Sequence, residues 1–137
     1  MKISAATENP SSVATSGNSG QLAIQHFVQS VGVIIATVGR KEIAEQTISS
    51  LALRKNLPST VIVVGASQSD LPVFPKELPF PVQLLIAPAK GLPIQRNHGI
   101  RQLPPSIEFV SFLDDDMEVH DDYFAEVLER CYGGGVP

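Results

Sequence analysis

Four short apolar runs, separated by polar and helix-forming stretches, constrain the fold of this 137-residue chain most strongly. The first, Val31–Ala36, is almost continuously apolar, which is typical of a strand buried on both faces of a sheet. The other three runs are Thr60–Val64, Val82–Ala87 and Glu108–Leu113. Because helical segments alternate with these strands, we predict an α/β fold with a mainly parallel sheet, flanking helices and right-handed crossovers.

Three segments between and after the strands are predicted to be helices. Lys41–Arg54 carries apolar residues at helical spacing, and Pro58 lies beyond its end. Gly91–Leu103 is predicted to be a loop leading into a helix, and Asp121–Cys131 a further helix. The prolines from Pro72 to Pro81 exclude regular structure between the second and third strands.

The sequence divides into a leader, residues 1–30, and a domain, residues 31–137. Ser, Ala, Thr, Asn and Gly dominate the first 20 or so positions, which predicts a flexible polar segment. Leu22–Val28 has a weak helical spacing and is interpreted as a short helix or an edge segment. The glycine run Gly133–Gly135 follows the last predicted helix directly, so we expect a domain that is incomplete at its C-terminus.

The composition of the chain argues against several classes of protein. The net charge is −4 and no basic cluster occurs, which argues against a nucleic-acid partner. The single cysteine, Cys131, excludes an internal disulfide framework and fits a reducing compartment. No apolar run approaches the roughly 20 residues of a transmembrane helix, and the N-terminus lacks the apolar core of a signal peptide. We therefore expect the protein to lie in the cytoplasm, either free or at the cytoplasmic face of a membrane.

The last predicted strand leads directly into three acids, Asp114, Asp115 and Asp116. Like charges this close repel one another unless a cation or strong donors lie nearby. A divalent metal would supply that charge, and a metal held by few carboxylates usually has phosphate as its other ligand. Ligand sites of open α/β sheets lie at the carboxyl ends of strands. The alternative is a solvated acidic turn that only begins the next helix.

Five segments, in chain order, carry a joint resemblance to a known family: Ile34–Arg40, Thr47–Leu51, Gly65–Asp70, Gly91–Ile100 and Phe112–Asp116. Together they resemble the N-terminal, nucleotide-binding half of the family 2 glycosyltransferases, which have the GT-A fold. The first three segments match the family's buried strand with a Pro-Thr-x-Asn-Arg-like turn, its helix with a Ser-Leu ending, and the place of its Val-Asp-Asp-Gly-Ser-x-Asp motif. The last two resemble its Gly-x-x-x-Ala-Arg-Asn-x-Gly-Ile segment and its Asp-x-Asp signature.

The resemblance implies a site for a nucleoside-diphosphate sugar and for Mg²⁺ or Mn²⁺. Alternate residues of an extended segment point the same way, so Asp114 and Asp116 are predicted to converge on the metal while Asp115 faces the other side. The metal would stabilise the charge that develops on the nucleoside diphosphate as it leaves. The residues implied to contact the nucleotide sugar are Ala36, Thr37, Arg40, Gly65, Gly91, Arg96, Asn97, Asp114 and Asp115.

Individual positions have physical reasons for these implied roles. The fixed fork of Arg96 suits phosphate or a base edge, and Asn97 is interpreted either as a ligand contact or as a helix cap. Ala36 and Thr37 would offer backbone groups to the nucleoside. Gly91, like Gly99, permits a close backbone approach or an unusual dihedral angle.

The chain departs from the family pattern in places that bear on its activity. Gly65 and Ala66 stand where the family has two acids, which removes a strong hydrogen-bond acceptor for the base. Gly39 replaces the usual Asn, and Asp70 retains the last acid of its motif. The family's general base lies in its C-terminal half, so no catalytic base is assigned in this chain.

The resemblance thus implies a glycosyltransferase that transfers a sugar to an acceptor hydroxyl, on a saccharide or a lipid-linked molecule, as in polysaccharide biosynthesis. The alternative is a degenerate, non-catalytic GT-A-like binding module or an inactive fragment. A receiver-like signalling domain also clusters acids at strand ends. Receivers, however, place paired acids after their first strand, where this chain has Thr37.

Overall fold

The structure is a computed structural model that describes residues 12–13, 25–28, 30–74 and 76–132. Its strands are β1 (Ser12–Val13), β2 (Gln25–Phe27), β3 (Val31–Ala36), β4 (Asn56–Leu57), β5 (Thr60–Gly65), β6 (Val82–Ile86) and β7 (Phe109–Leu113). Its helices are α1 (Lys41–Leu51), α2 (Leu92–Arg101) and α3 (Tyr123–Tyr132), with a short 3₁₀ helix at Gln68–Asp70.

The main sheet has four strands in the order β6-β5-β3-β7, and all of its pairs are parallel. Each of the four predicted apolar runs forms one of these strands, to within one residue at either end. The predicted α/β class, with a mainly parallel sheet and flanking helices, is confirmed. Because the strands are parallel, their carboxyl ends meet at one edge of the sheet.

The sheet is covered on both faces, which explains why its central strands are apolar throughout. On one face, Val33 and Ile35 of β3 pack in a core that includes Ile48 of α1 and Phe124 of α3. On the other face, Ile34 belongs to a smaller core with members of β5. There α2 lies close to the sheet at Gly99, where an added Cβ would come within 3.0 Å of Ile34 Cγ2. The expected close approach at Gly99 is confirmed.

Helix boundaries differ slightly from the prediction. α1 ends at Leu51, three residues before Arg54, because the amides of Leu53 and Arg54 bond to carbonyls three residues back and tighten the turn. α3 starts two residues later than Asp121 and ends at Tyr132. Within the described part of residues 71–81 there is no helix or strand, as the prolines predicted.

A second, small sheet joins β2 to its neighbours, antiparallel to β1 and parallel to β4. The side chain of Gln25 donates to the carbonyls of Ala52 and Arg54 at 2.8 Å each, which ties β2 to the end of α1. The segment Gln25–Phe27 is thus the middle strand of this small sheet, and neither the short helix nor the edge segment that was expected is present there. It lies on the leader side of the predicted boundary at residue 31, and that boundary stays a prediction. Most of the leader and Gly133–Gly135 lie outside the described residues.

No helix in the described part of the chain combines the length and apolar character needed to cross a bilayer.

Candidate functional site

The acidic loop, defined as Asp114–Asp116, begins where β7 ends and meets an arginine from the neighbouring strand connection. One terminal nitrogen of Arg40 lies 3.0 Å from Asp115 Oδ1 and 2.9 Å from Asp116 Oδ2. Arg40 stands directly before α1, which follows β3. A single guanidinium group therefore pairs with two of the three acids at the carboxyl end of the sheet.

Asp115 is the most firmly held member of the acidic loop. Its side chain is only 12% exposed. The Thr37 hydroxyl donates to Asp115 Oδ2 at 2.8 Å, and the Thr47 hydroxyl donates to the Asp115 carbonyl at 2.6 Å. These bonds fix the loop against the end of β3 and the inner face of α1. Sequence reasoning placed Thr47 only on the core stripe of α1 and missed its bond to the loop.

The third acid, Asp114, faces a different arginine. Arg96 of α2 lies 3.9 Å from Asp114 Oδ1, and its guanidinium group stacks over the Phe112 ring at 5.1 Å. Asp114 and Asp116 are both largely exposed, at 67% and 58% of their side-chain surfaces. Arg96 thus lies beside the acidic loop, as the sequence predicted, and stacking on Phe112 restricts its side chain.

The predicted arrangement of the three acids is wrong in one respect. Asp114 and Asp116 were expected to converge while Asp115 faced away, but Asp115 and Asp116 share Arg40 and Asp114 lies by Arg96. The reason is that the strand ends at Leu113 and a turn follows, so the two-residue alternation of an extended segment does not continue.

The donor chemistry of the loop nevertheless fits Mg²⁺ or Mn²⁺. Hard divalent cations take oxygen ligands, and Mg²⁺ often uses only one or two carboxylates, with phosphates and water completing its shell. Asp116 and Asp114 offer exposed carboxylates of this kind. Across residues 12–13, 25–28, 30–74 and 76–132, no three acidic, histidine or cysteine side chains are grouped to hold a metal by themselves.

A second carboxylate, Asp70, joins the turns that follow β3 and β5. Only 4% of Asp70 is exposed. Gly39 N–H donates to its Oδ1 at 2.7 Å, and the N–H groups of Ala66 and Ser67 donate to its Oδ2 at 2.8 and 2.9 Å. Gly39 has a φ of +69°, a left-handed conformation that favours glycine. Asp70 therefore fixes the backbone immediately before Arg40.

These contacts shift the pKa values of Asp70 and Arg40. Burial alone would raise the pKa of Asp70, but hydrogen bonds from Gly39, Ala66 and Ser67 outweigh it and lower the pKa from its ordinary value. The hydrogen bond to Asp116, together with the attraction of Asp115, raises the pKa of the Arg40 guanidinium group. Arg40 is therefore a permanent cation at the acidic loop.

A cavity of about 250 Å³ opens between the acidic loop, the end of β3 and the start of α2. Its lining includes Ala36, Thr37, Lys90, Gly91 and Asp115. Four of these were predicted as nucleotide contacts, and Lys90 was not. A cavity that combines backbone, one cation and one acid at the carboxyl edge of a parallel sheet is suited to a polar, anionic ligand.

Gln95, at the floor of this cavity, was missed by sequence reasoning. It is 2% exposed, and its amide donates to the carbonyls of Thr37 and Val64 at 3.2 and 2.8 Å. Its side-chain oxygen accepts the Gly91 N–H at 3.1 Å. The available signal was its spacing of four residues from both Gly91 and Gly99, which puts all three on the side of α2 that faces the sheet.

Gly91 and Thr37 are two further residues that the sequence analysis predicted to contact the nucleotide sugar. Gly91 has a φ of +144°, which confirms the expected unusual dihedral angle. The Thr37 N–H donates to the Val64 carbonyl of β5, and the Thr37 carbonyl accepts one bond from Gln95 and keeps a second lone pair. Contact of this carbonyl with a nucleoside stays a prediction.

Two further predicted contacts have distinct surroundings. Asn97 is exposed in the interior of α2, and the helix is capped by Gly91, so the capping interpretation of Asn97 is wrong. The helix starts five residues earlier, with Pro93 in its first turn. Gly65 is enclosed: an added Cβ would lie 2.8 Å from Asp70 Cβ and 3.2 Å from the Ser67 carbonyl oxygen.

Comparison with known proteins agrees with this geometry. The family model described as "Glycosyl transferase family 2" matches residues 32–135, the region that contains the main sheet, the cavity and the acidic loop. A search of curated proteins found no match. Because the family model covers well over half of the sequence, the chain belongs to glycosyl transferase family 2.

Proposed function

We propose that this domain binds a nucleoside-diphosphate sugar and serves the transfer of its sugar to an acceptor hydroxyl. The observation that carries the proposal is the meeting of the acidic loop with Arg40 and Arg96, beside the 250 Å³ cavity at the carboxyl edge of the sheet. Two arginines and three carboxylates at this edge of the sheet, next to a cavity that Asp115 lines, can bind a diphosphate and a cation together.

Each part of the donor has a proposed partner. The cavity next to Thr37, Lys90 and Gly91 would take the nucleoside, with the diphosphate toward Arg40 and Arg96. Asp116 would hold Mg²⁺ or Mn²⁺, which when bound supplies positive charge to the departing nucleoside diphosphate. Arg40 and Arg96 would add fixed positive charge at the same place and orient the phosphates.

The acceptor is a hydroxyl of a saccharide or a lipid-linked molecule, and we place the reaction in the cytoplasm or at the cytoplasmic face of a membrane. Polysaccharide biosynthesis is the process that such chemistry serves. None of the described residues is assigned as the general base that deprotonates the acceptor. The proposal for the chain itself is therefore donor binding.

Titration calorimetry tests this proposal directly. UDP, GDP, CDP and ADP are each titrated into the chain, with Mn²⁺ and with EDTA. At least one nucleotide is expected to bind in the presence of Mn²⁺, and Asp116→Asn is expected to weaken binding about tenfold or more, because even indirect partners of a metal typically contribute that much.

Glu129→Gln provides the matched control. It removes the same charge from an exposed acid of α3, three residues before Tyr132. The Tyr132 hydroxyl bonds to Glu108, at the opposite end of β7 from the acidic loop. Nucleotide binding equal in Asp116→Asn and the wild type would contradict the proposed role of the acidic loop. Failure of all four nucleotides to bind would remove the donor-binding proposal.

One observation favours the alternative, a non-catalytic GT-A-like binding module. Gly65 has no room for a side chain, so the carboxylate that the family carries there cannot be restored by substitution without movement of Asp70 or Leu71. Under this alternative, Asp116→Asn changes no binding property, and only the free energy of unfolding responds. The calorimetric series above separates the two functions.

A further inference from the structure

Arg40 occupies the position at which a cation was expected from the sequence. Its guanidinium nitrogen lies 3.0 Å from Asp115 Oδ1 and 2.9 Å from Asp116 Oδ2, so one positive charge is shared by both carboxylates. The Arg40 side chain is 43% exposed, whereas the Asp115 side chain is 12% exposed and is held by a further bond from Thr37. Of these side chains, Asp115 is fixed and Arg40 has space to move.

The backbone that carries Arg40 is held independently of this ion pair. The preceding residue, Gly39, donates its N–H to buried Asp70, and the following residue begins α1. The long side chain of Arg40 can therefore leave the acids by rotation about its own bonds, without a change of fold. The N-terminus of α1, with its partial positive charge, lies directly behind it.

A divalent cation and the Arg40 guanidinium group cannot both be in contact with Asp116 without strong mutual repulsion. The guanidinium group already contacts Asp116 Oδ2, so a metal bound to the same carboxylate would lie within a few ångströms of it and be repelled. A diphosphate would relieve this conflict, because it provides negative charge for the metal and a bidentate partner for the displaced arginine.

We infer that Arg40 is a built-in counter-cation of the acidic loop that a divalent metal has to displace, and that a diphosphate ligand receives the displaced guanidinium group. This inference rests on the proposed donor-binding function and names how the same site is regulated. It makes metal binding weak when the metal is alone. It also makes metal and nucleoside diphosphate bind cooperatively, each raising the affinity of the other by the same factor.

The test is a set of Mn²⁺ titrations, by calorimetry and by electron paramagnetic resonance, without nucleotide. Arg40→Gln is expected to lower the dissociation constant of Mn²⁺ about three- to tenfold, because it removes the competing ion pair. Arg40→Lys, which keeps the charge, is expected to stay within about twofold of the wild type. Thermal melting followed by circular dichroism checks that each variant is folded.

Lys41→Gln is the matched control, because it removes the same charge one residue along the chain. Lys41 takes part in no ion pair with the described residues. It is expected to change Mn²⁺ affinity less than twofold, which separates displacement of Arg40 from the general effect of a lost positive charge. An equal gain in Lys41→Gln and Arg40→Gln would overturn the inference.

The coupling between metal and nucleotide gives a second readout. The factor by which Mn²⁺ tightens binding of the nucleotide identified above is expected to be smaller in Arg40→Gln than in the wild type. If Arg40→Gln binds Mn²⁺ no better than the wild type while Asp116→Asn abolishes metal-dependent nucleotide binding, the inference fails and the proposed function stands. If neither the wild type nor Arg40→Gln binds Mn²⁺, the inference fails as well.

If the wild type binds neither Mn²⁺ nor any nucleotide while Arg40→Gln binds Mn²⁺, the proposed donor binding is refuted, and so is the part of the inference in which a diphosphate receives the displaced guanidinium group. Competition between Arg40 and the metal for the acids is the part that this result supports.

Discussion

Replacing Asp70 with asparagine tests whether a buried carboxylate holds together the turns that shape the site. Asp70 Oδ1 accepts the Gly39 N–H, and Oδ2 accepts the N–H groups of Ala66 and Ser67. Asparagine has the same size, but one of its two polar ends is an amide NH₂ that cannot accept a hydrogen bond. In either orientation, Asp70→Asn leaves at least one of these backbone donors without its acceptor.

The expected loss of stability follows from the number and kind of these bonds. A hydrogen bond to a charged group contributes about 1.5–3 kcal/mol, and one between neutral groups about 0.5–1.5 kcal/mol. Asp70→Asn removes one charged bond and converts two others to neutral ones. The free energy of unfolding at pH 7 is therefore expected to fall by about 2–5 kcal/mol, measured by urea denaturation followed by circular dichroism.

The pH dependence has a definite sign. The pKa of Asp70 is lowered in the folded protein, so its carboxylate stabilises the fold at pH values above the ordinary aspartate pKa of about 3.9. That contribution is lost as the pH falls through the lower, folded pKa. The difference in unfolding free energy between wild type and Asp70→Asn is therefore expected to be constant from pH 7 to pH 5 and to shrink by pH 3.

Asp122→Asn is the control for a generic loss of negative charge. Asp122 is exposed and accepts one bond from the Asn56 side chain. It is expected to change the unfolding free energy by less than about 1 kcal/mol. The reasoning is refuted if Asp70→Asn costs no more than this control, or if its cost is the same at pH 3 as at pH 7.

Three other substitutions test the surroundings of the site. Gly65→Ala is expected to cost about 1–3 kcal/mol of stability, because its Cβ would meet Asp70 Cβ at 2.8 Å, and a cost near zero in urea denaturation would contradict this. Gly39→Ala has open space around the new Cβ but a φ of +69°, so a loss of about 1–2 kcal/mol is expected, and an unchanged midpoint would argue against backbone strain. Gln95→Leu leaves the Thr37 carbonyl and the Gly91 N–H without partners and removes one of the two donors to the Val64 carbonyl. It is expected to lower stability by about 2–4 kcal/mol in the same assay, and a loss below about 1 kcal/mol would be inconsistent with the bonds described.

The strands were predictable because burial on both faces leaves an unambiguous sequence pattern. Val31–Ala36 and Thr60–Gly65 are apolar at nearly every position and are buried almost throughout. β2 and β4 were not predictable in this way, since they have three and two residues and pair across 30 positions of sequence. Strands this short carry too few side chains to show a period.

The residues that the sequence analysis missed are mainly buried polar residues that hydrogen-bond to the backbone. Gln95 looks like an ordinary polar helix residue, because sequence alone does not reveal which side of α2 faces the sheet edge. Asp70 could be recognised as the end of a motif but not as the acceptor of three backbone N–H groups. Each of them has at least one partner that is a backbone atom more than 30 residues away, and a backbone atom is not marked by any particular residue type in the sequence.

The pairing of Arg40 with the acidic loop could not be predicted, because the sequence does not show the order of the strands in the sheet. β3 and β7 are adjacent and parallel, with Ile35 opposite Leu113, so continuing each strand by two residues brings Thr37 next to Asp115. Given that register, the meeting of the turn after β3 with the acids is a simple consequence. The register itself depends on strand order, and the sequence shows four similar apolar runs without saying that the last lies beside the first. Repulsion among the three acids predicted a cation nearby, and Arg40 is such a cation. It lies close enough because β3 and β7 are neighbours in the sheet.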